Sequence, residues 1–385
     1  MADTPPNNRS SAALGASTPL VPPLYQSSVY CLPDLDALDQ IIESQRPGFI
    51  YARDGHPNAR LLAEELAALE RAPWAVVCGS GMAAITAALL SIAQQGDRLV
   101  ASNSLYGRTT QLFQDLGRFG VQTTFVEARD LKQVRSRLDE RAKALLVETM
   151  SNPLLCMVDI PALVEICHER GCLLIVDNTF ATPVLTRPLE LGADYVVESL
   201  TKMVSGHSDV TLGLLCGAAD VLTQVSQVVS VWGLAANPFD CWLTSRGIAT
   251  LALRMRAASA NAAALAEWLP EQPRVNRVVY PGRSDHPDHD IACKLLGGGF
   301  GNMLAFELAG GRDDVNRFMR KAAGIPFSPS LGNTSTTCSH PATTSHRYVS
   351  PAERRRQGIN DGLIRLSVGI EELPHIQREI AKGLA

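Results

Sequence analysis

This sequence predicts an α/β fold: a predominantly parallel sheet covered by helices, then a smaller C-terminal α+β domain. Three observations lead there. From about residue 58 to about residue 215, short strand-like runs alternate with helical runs. The strand-like runs are apolar on both faces, as in Cys172-Leu173-Leu174-Ile175-Val176, which is the pattern of a sheet buried between two helical layers. The chain of 385 residues also exceeds what one hydrophobic core usually holds, so two domains are expected.

Residues 1–47 are rich in Pro, Ser and Asn and show little periodicity before Leu35-Asp36-Ala37-Leu38, so they read as an extended N-terminal arm. Part of this arm is expected to pack on another subunit; for the first fifteen residues a disordered tail is an equal alternative. The large domain is placed at residues 48–245. In it Leu62, Leu66 and Leu69 share a helical face. Strands are expected at 74–78, 98–102, 121–127, 143–148, 172–176, 194–198 and 210–215, with helices at 82–93, 109–119 and 161–170. Residues 246–385 form the second domain. An Ala-rich helix at 248–269 is long enough to bridge the two, and strands at 275–280 and 303–308 and a helix at 313–322 follow. Gly297, Gly298, Gly299 and Gly301 lack the G-x-G-x-x-G register and the strand–turn–helix setting of a nucleotide loop, so they read as a backbone turn. No period of 20 to 50 residues recurs, which excludes a repeat architecture.

Composition narrows the function classes. Apolar residues make up 46% and charged residues 19%, as in a globular protein. The net charge of −4, without a basic stripe, points away from nucleic acid and from anionic membranes. The N-terminus lacks a basic-then-apolar signal pattern, and no apolar run approaches the roughly 20 residues that span a bilayer. Nine cysteines are scattered without paired C-x-x-C spacing. The closest cluster, Cys167-His168 with Cys172, reads as a packed helix–strand junction, so no metal is expected and free thiols in the cytoplasm are the simpler reading.

Ligands of parallel sheets bind at the carboxyl ends of the strands. Asp177 ends one apolar strand, and Lys202 follows twenty-five residues later in Glu198-Ser199-Leu200-Thr201-Lys202. Gly79-Ser80-Gly81-Met82 joins a strand to a helix at the same edge, where free backbone N–H groups and the helix dipole attract phosphate. An amine that can condense with an aldehyde, a carboxylate that can hold a ring nitrogen protonated, and an anion cradle are together what pyridoxal 5'-phosphate (PLP) requires. Ser199 and Thr201, two apart and on one face if extended, can donate hydroxyls to the same phosphate; alone they read as a turn. Tyr106 ends the loop after the strand at 98–102, either to stack on a planar cofactor or as an exposed loop tyrosine. Arg53, in Tyr51-Ala52-Arg53, suits a bidentate phosphate contact made across a subunit boundary.

These motifs closely resemble the transsulfuration (Cys/Met metabolism) PLP enzymes. The resemblance runs through Tyr51-Ala52-Arg53-Asp54-Gly55-His56-Pro57, Ser80-Gly81-Met82-Ala83-Ala84-Ile85, Leu105-Tyr106-Gly107 and Glu148-Thr149-Met150-Ser151-Asn152-Pro153-Leu154. It continues through Val176-Asp177-Asn178-Thr179-Phe180, Thr201-Lys202 with Gly206-His207-Ser208-Asp209, and Leu363-Ile364-Arg365-Leu366-Ser367-Val368-Gly369-Ile370-Glu371, and so covers nearly the whole chain from about residue 20. It implies the fold-type I PLP-dependent transferase architecture, with a mostly parallel seven-stranded sheet sandwiched by helices. It also implies a homotetramer built from dimers that share active sites. By the same resemblance Lys202 is the cofactor-linked lysine and proton shuttle, Asp177 pairs with the pyridine nitrogen, and Tyr106 stacks on the ring and assists leaving-group departure. Gly81, Met82, Ser199 and Thr201 hold the phosphate, with Tyr51 and Arg53 reaching it from the other subunit. Asn152, Ser330 and Arg365 hold the substrate carboxylate or the cofactor hydroxyl edge.

The implied chemistry is elimination or replacement at the β- or γ-carbon of sulfur amino acids or activated homoserine. Lys202, freed by the substrate amine, takes the α-proton; a second deprotonation at the β-carbon permits loss of a γ-substituent, whereas β-loss needs only the first. Substrate choice is where the chain departs from better-known relatives. Ser330-Leu331-Gly332-Asn333-Thr334-Ser335-Thr336-Thr337 lacks the carboxylate that many cystathionine enzymes place after this turn. Ile50 stands where some synthases place an acid, and Arg108 stands where methionine γ-lyases place a cysteine. Arg108 either attracts a distal carboxylate or faces solvent; both readings stand. A cystathionine γ-synthase or lyase is the first expectation, with a homoserine-ester sulfhydrylase or methionine γ-lyase as the alternative and an aminotransferase after those.

Overall fold

A computed structural model describes residues 17–347 and 349–385. The tail-or-arm expectation for the first fifteen residues lies outside them. The chain forms two sheets. The first has seven strands: β1 (Trp74–Cys78), β2 (Arg98–Ser102), β3 (Gln122–Val126), β4 (Ala142–Glu148), β5 (Leu173–Asp177), β6 (Tyr195–Glu198) and β7 (Gly213–Gly217), in the order β1-β7-β6-β5-β4-β2-β3. The pairs β2–β3, β2–β4, β4–β5 and β5–β6 are parallel, whereas β7 runs antiparallel to both β6 and β1.

The reversal at β7 has a local cause. Parallel neighbours need a long crossover, usually a helix, and the segment 199–212 between β6 and β7 holds turns only. The strand expected at 210–215 therefore joins the ladder three residues later, at Gly213. Elsewhere adjacent residues go to opposite layers. Leu146 and Ile175 pack with Ala84, Ala88, Leu89 and Phe113, while Leu145, Val147, Leu174 and Val176 pack with Leu163, Ile166 and Cys167. Each such fully buried large side chain is worth roughly 1.5–3 kcal/mol, which is why runs apolar on both faces settle in the sheet interior.

The second sheet is antiparallel: β8 (Val275–Val279), β9 (Met303–Leu308), β10 (Thr337–Ser339) and β11 (Leu363–Ser367), in the order β10-β11-β9-β8. Leu304, Phe306, Ile364 and Leu366 pack against Leu265, Phe318 and Ile380 from the helices Leu251–Trp268, Gly311–Lys321 and Leu373–Leu384. The helix Pro238–Ile248 comes first, and the helix expected at 248–269 spans Leu251–Trp268. They break at Ala249–Thr250, where the Thr250 hydroxyl turns back onto the Gly247 carbonyl at 3.2 Å. The domain division we propose after residue 245 falls inside the first of these. The glycine run is a turn with positive φ at Gly298, Gly299 and Gly301.

The described part of the arm is extended, apart from the helix Leu35–Ile42, which Asp34 caps by accepting from Ala37 N. Pro22 and Pro23 carbonyls accept from Trp242 Nε1 (3.0 Å) and Asn58 Nδ2 (2.9 Å), which ties the arm to the large sheet's helices. Leu20, Val21, Leu24 and Val29 remain exposed on it. Among the described residues no helix is long and apolar enough to cross a membrane, and no three His, Cys, Asp or Glu side chains converge on a metal site.

Candidate active site

The chemistry-bearing side chains gather where β4, β5 and β6 end. Asp177, the last residue of β5, is in register with Glu148, the last of β4. Asp177 Oδ1 accepts from Thr179 N at 3.0 Å and from Thr179 Oγ1 at 2.5 Å, and Thr179 Oγ1 in turn accepts from Ser199 N at 2.8 Å. Burial pushes the Asp177 pKa up while the two bonds from Thr179 oppose that push. Among the described residues no cationic side chain pairs with this carboxylate. Burial leaves it desolvated, and a positively charged ring nitrogen would satisfy it.

Lys202 lies on the turn after β6. The turn is closed by its own backbone, with Lys202 N donating to Ser199 O (3.1 Å) and Gly206 N to Lys202 O (2.8 Å). Lys202 Nζ donates to Ser330 Oγ at 3.2 Å. Burial, and then the charge of Arg365, hold the amine below its ordinary pKa. Gly332, at φ 84°, approaches the turn so closely that a Cβ there would stand 2.6 Å from Met203 N and 2.7 Å from Lys202 C. From the other side the buried guanidinium of Arg254 donates to Met203 O (2.6 Å), Val204 O (2.9 Å) and Gly247 O (2.8 Å). Gly206, at φ 73°, leaves the room that this guanidinium fills.

Arg365 comes from β11 in the second sheet and is 4% exposed. Its Nη1 donates to Asn152 Oδ1 (2.9 Å) and its Nη2 to Ser330 O (3.0 Å), while Nε is buried without a partner. Burial lowers its pKa to about 10, so it stays cationic at neutral pH. Lys202, Ser330, Arg365 and Asn152 thus form one hydrogen-bonded cluster from four separate segments. Its open donor at Nε and its positive charge suit a carboxylate.

The anion cradle begins at Ser80, whose Oγ accepts from Ala83 N (3.0 Å) at the start of the helix Gly81–Ile92. Gly81 lets that helix start meet Ser199: a Cβ on Gly81 would be 2.8 Å from Ser199 Cβ and 3.1 Å from its Oγ. Met82 Sδ accepts from Thr109 Oγ1 at 3.9 Å. The Thr201 hydroxyl exchanges hydrogen bonds with the backbone of Leu212 (3.2 and 3.3 Å). Tyr106 is 43% exposed, and its backbone N donates to Glu148 Oε1 at 2.7 Å. Arg108 is exposed in the first turn of the helix Gly107–Leu116. Tyr51 and Arg53 lie toward the surface, with the guanidinium 5.5 Å from the Tyr51 ring centroid. Arg53 reaches Ser230 O (3.3 Å) and Asp54 (4.0 Å), and neither Tyr51 nor Arg53 bonds to Lys202 or Asp177. A desolvated carboxylate, an amine with lowered pKa and a helix start opened by glycine form a donor set that fits PLP.

Three contributors receive no role from the sequence alone. Thr179 and Glu148 stand at strand ends, as Asp177 does, and that position was the available signal. Arg254 sits in an Ala-rich helix two residues from Arg256, and nothing local marks it. Behind the strand ends, Asn178 Nδ2 donates to Thr186 O (3.0 Å) and Glu198 Oε1 (3.3 Å), and burial raises the pKa of both Glu198 and Glu70.

The profile of the family described as Cys/Met metabolism PLP-dependent enzyme matches residues 7–385. The chain is 42% identical over 340 residues to an O-succinylhomoserine sulfhydrylase of Pseudomonas aeruginosa, covering 88% of this chain and 84% of that one. It is 37% identical over 369 residues to an L-methionine gamma-lyase of Fusobacterium nucleatum, covering 95% and 93%. The crystal structure of cystathionine gamma synthase from Xanthomonas oryzae in complex with cystathionine superposes with a TM-score of 0.89 at 35% identity, covering 95% of this chain and 92% of that one. The seven-stranded sheet, the strand-end lysine and carboxylate, and these likenesses agree: the chain belongs to the Cys/Met metabolism PLP-dependent enzymes.

Proposed function

We propose that this enzyme carries out elimination or replacement at the β- or γ-carbon of a sulfur amino acid or an activated homoserine, in the manner of cystathionine γ-synthases and lyases. The observation that carries this reading is the hydrogen-bonded cluster of Lys202, Ser330, Arg365 and Asn152 next to the strand-end Asp177. PLP, when bound, supplies an electron sink for negative charge at the substrate α-carbon. Lys202 is the residue that holds it covalently and the base that moves protons at Nζ. Its lowered pKa enlarges the neutral fraction able to accept a proton. Asp177 keeps the ring nitrogen cationic, and Thr179 fixes the carboxylate in place. Tyr106 covers the ring. Gly81, Met82, Ser199 and Thr201 hold the phosphate, together with Tyr51 and Arg53 of the partner subunit. Arg365, with Ser330 and Asn152, orients the substrate carboxylate.

A second reading, a homoserine-ester sulfhydrylase, draws support from Arg108. Its charge, two residues from Tyr106 and exposed, suits the distal carboxylate of a succinyl ester, and the 42% relative acts in that class. The exposed apolar side chains of the arm support packing on other copies, as in a homotetramer of dimers with shared sites. Nine free cysteines, six of them buried, support a cytoplasmic location. The test is to incubate purified enzyme with cystathionine, methionine, cysteine and O-succinyl- or O-acetylhomoserine, with and without thiol nucleophiles. Pyruvate or 2-oxobutyrate from a sulfur amino acid, or a thioether from a homoserine ester, is the expected product. Transfer of the amino group alone would replace this reading with an aminotransferase.

A further inference from the structure

Glu148 occupies a position that the chemistry above leaves unused. It ends β4 beside Asp177 on β5, so the two carboxylates project from neighbouring strands at the same level. Yet Glu148 does not face Asp177 as a second ring-nitrogen partner. Its Oε1 accepts from the backbone N of Tyr106 at 2.7 Å, and the backbone N–H of Asn152 also acts on the carboxyl, opposing the rise in its pKa. Tyr106 is the residue before the helix Gly107–Leu116 and receives no side-chain cap of its own. Its side chain is 43% exposed, so packing does not fix the ring. The loop 103–106 is otherwise tied down by Asn103 N to Val126 O (2.8 Å) and Ser104 N to Ser102 Oγ (3.2 Å), both ahead of the tyrosine.

We propose that Glu148 is a positioning residue of the active site, whose carboxyl tethers the Tyr106 backbone to the end of β4 and so sets where the tyrosine ring stands over the cofactor. The tether is rigid at its root because Glu148 pairs with Asp177 in the ladder between β4 and β5. It acts on the tyrosine through a backbone bond, which survives any change of the Tyr106 side chain. The same carboxyl, through the Asn152 backbone, also acts on the segment whose side chain partners Arg365. Glu148 therefore joins the aromatic side of the site to its substrate-carboxylate side without touching either ligand.

This inference rests on the proposed role of Tyr106, and two readouts separate the two. The first is deuterium uptake of the peptide covering residues 103–108 in cofactor-free full-length protein. Glu148→Ala speeds it, while Glu148→Gln, which keeps an accepting oxygen, stays close to the parent. The second is the dissociation constant for PLP, measured by equilibrium dialysis in a double-mutant cycle. Glu148→Ala weakens binding about tenfold, as expected for one lost buried hydrogen bond, and Glu148→Gln restores most of it. In a Tyr106→Ala background the Glu148→Ala change adds less than about twofold, because the tethered ring is already gone. Should Glu148→Ala fail to fold, Glu148→Asp, which withdraws the carboxyl by one methylene, takes its place in both arms. Unchanged uptake in the Ala variant, or equal loss of PLP affinity with and without the Tyr106 ring, overturns the tether. A Tyr106→Ala variant with parental PLP affinity overturns the role of the ring instead, and deuterium uptake then still decides the tether.

Discussion

Replacing Arg365 tests how the two sheets cooperate at the site. The guanidinium is delivered by β11, lies 4% exposed, and commits Nη1 to Asn152 and Nη2 to Ser330 O, leaving Nε without a partner. A substrate carboxylate bound there gains a charge-assisted hydrogen bond worth about 1.5–3 kcal/mol, so Arg365→Ala should lower kcat/KM by about 10- to 150-fold. The carboxylate is held equally before and during the proton transfers, so most of the loss should appear in KM. Arg365→Lys keeps the charge but not the planar fork and should recover only part. A second consequence follows from charge. Arg365 helps to hold the Lys202 pKa down, so its removal raises that pKa and moves the acid limb of the kcat profile to higher pH. Steady-state kinetics across pH, with PLP content measured alongside, read both effects. An unchanged KM, or a loss mirrored in PLP affinity, would refute the assignment of Arg365 to substrate.

Two other perturbations have signs fixed by the geometry. Gly332→Ala puts a Cβ 2.6–2.7 Å from the backbone of Met203 and Lys202 at a positive φ. It should destabilise the protein by about 1–3 kcal/mol in urea unfolding and slow turnover, since backbone cannot swing aside as a side-chain tip can; parental stability and rate would contradict the close approach. Stability of the cofactor-free protein should also depend on pH through the buried carboxyls. Burial and the neighbouring Asp177 raise the Glu148 pKa to about 8, above its unfolded value. The folded state therefore holds a proton the unfolded chain has released, a contribution complete below about pH 4.5 and lost as pH rises through about 8. Melting temperatures should fall from pH 6 to pH 9, and Glu148→Gln should flatten that fall. An identical slope in the variant would show that Glu148 titrates normally.

What the sequence discloses and what it hides follow the range of the interactions involved. Runs such as Ala144-Leu145-Leu146-Val147 reveal strands buried on both faces because burial is written in each residue's chemistry. Strand direction is not so written: β7 is as apolar as its neighbours, and only the lack of a crossover helix before it makes it antiparallel. β10 is three residues long, and β11 carries a buried arginine, so neither reads as a strand by composition. Lys202 and Asp177 are legible because a strand-end carboxylate and a lysine preceded by Ser199 and Thr201 are uncommon enough to notice together. The grip of Arg254 on the carbonyls of Met203 and Val204 joins residues 51 and 50 positions apart in the chain, and no spacing rule reports it.

The central claim is that Lys202 bears the cofactor, and reductive trapping tests it most directly. Holoenzyme treated with borohydride, digested and analysed by mass spectrometry should carry the reduced pyridoxyl group on the peptide containing Lys202, and Lys202→Ala should yield colourless, unlabelled protein. Label on another lysine, or a variant that keeps both colour and turnover, would contradict the account.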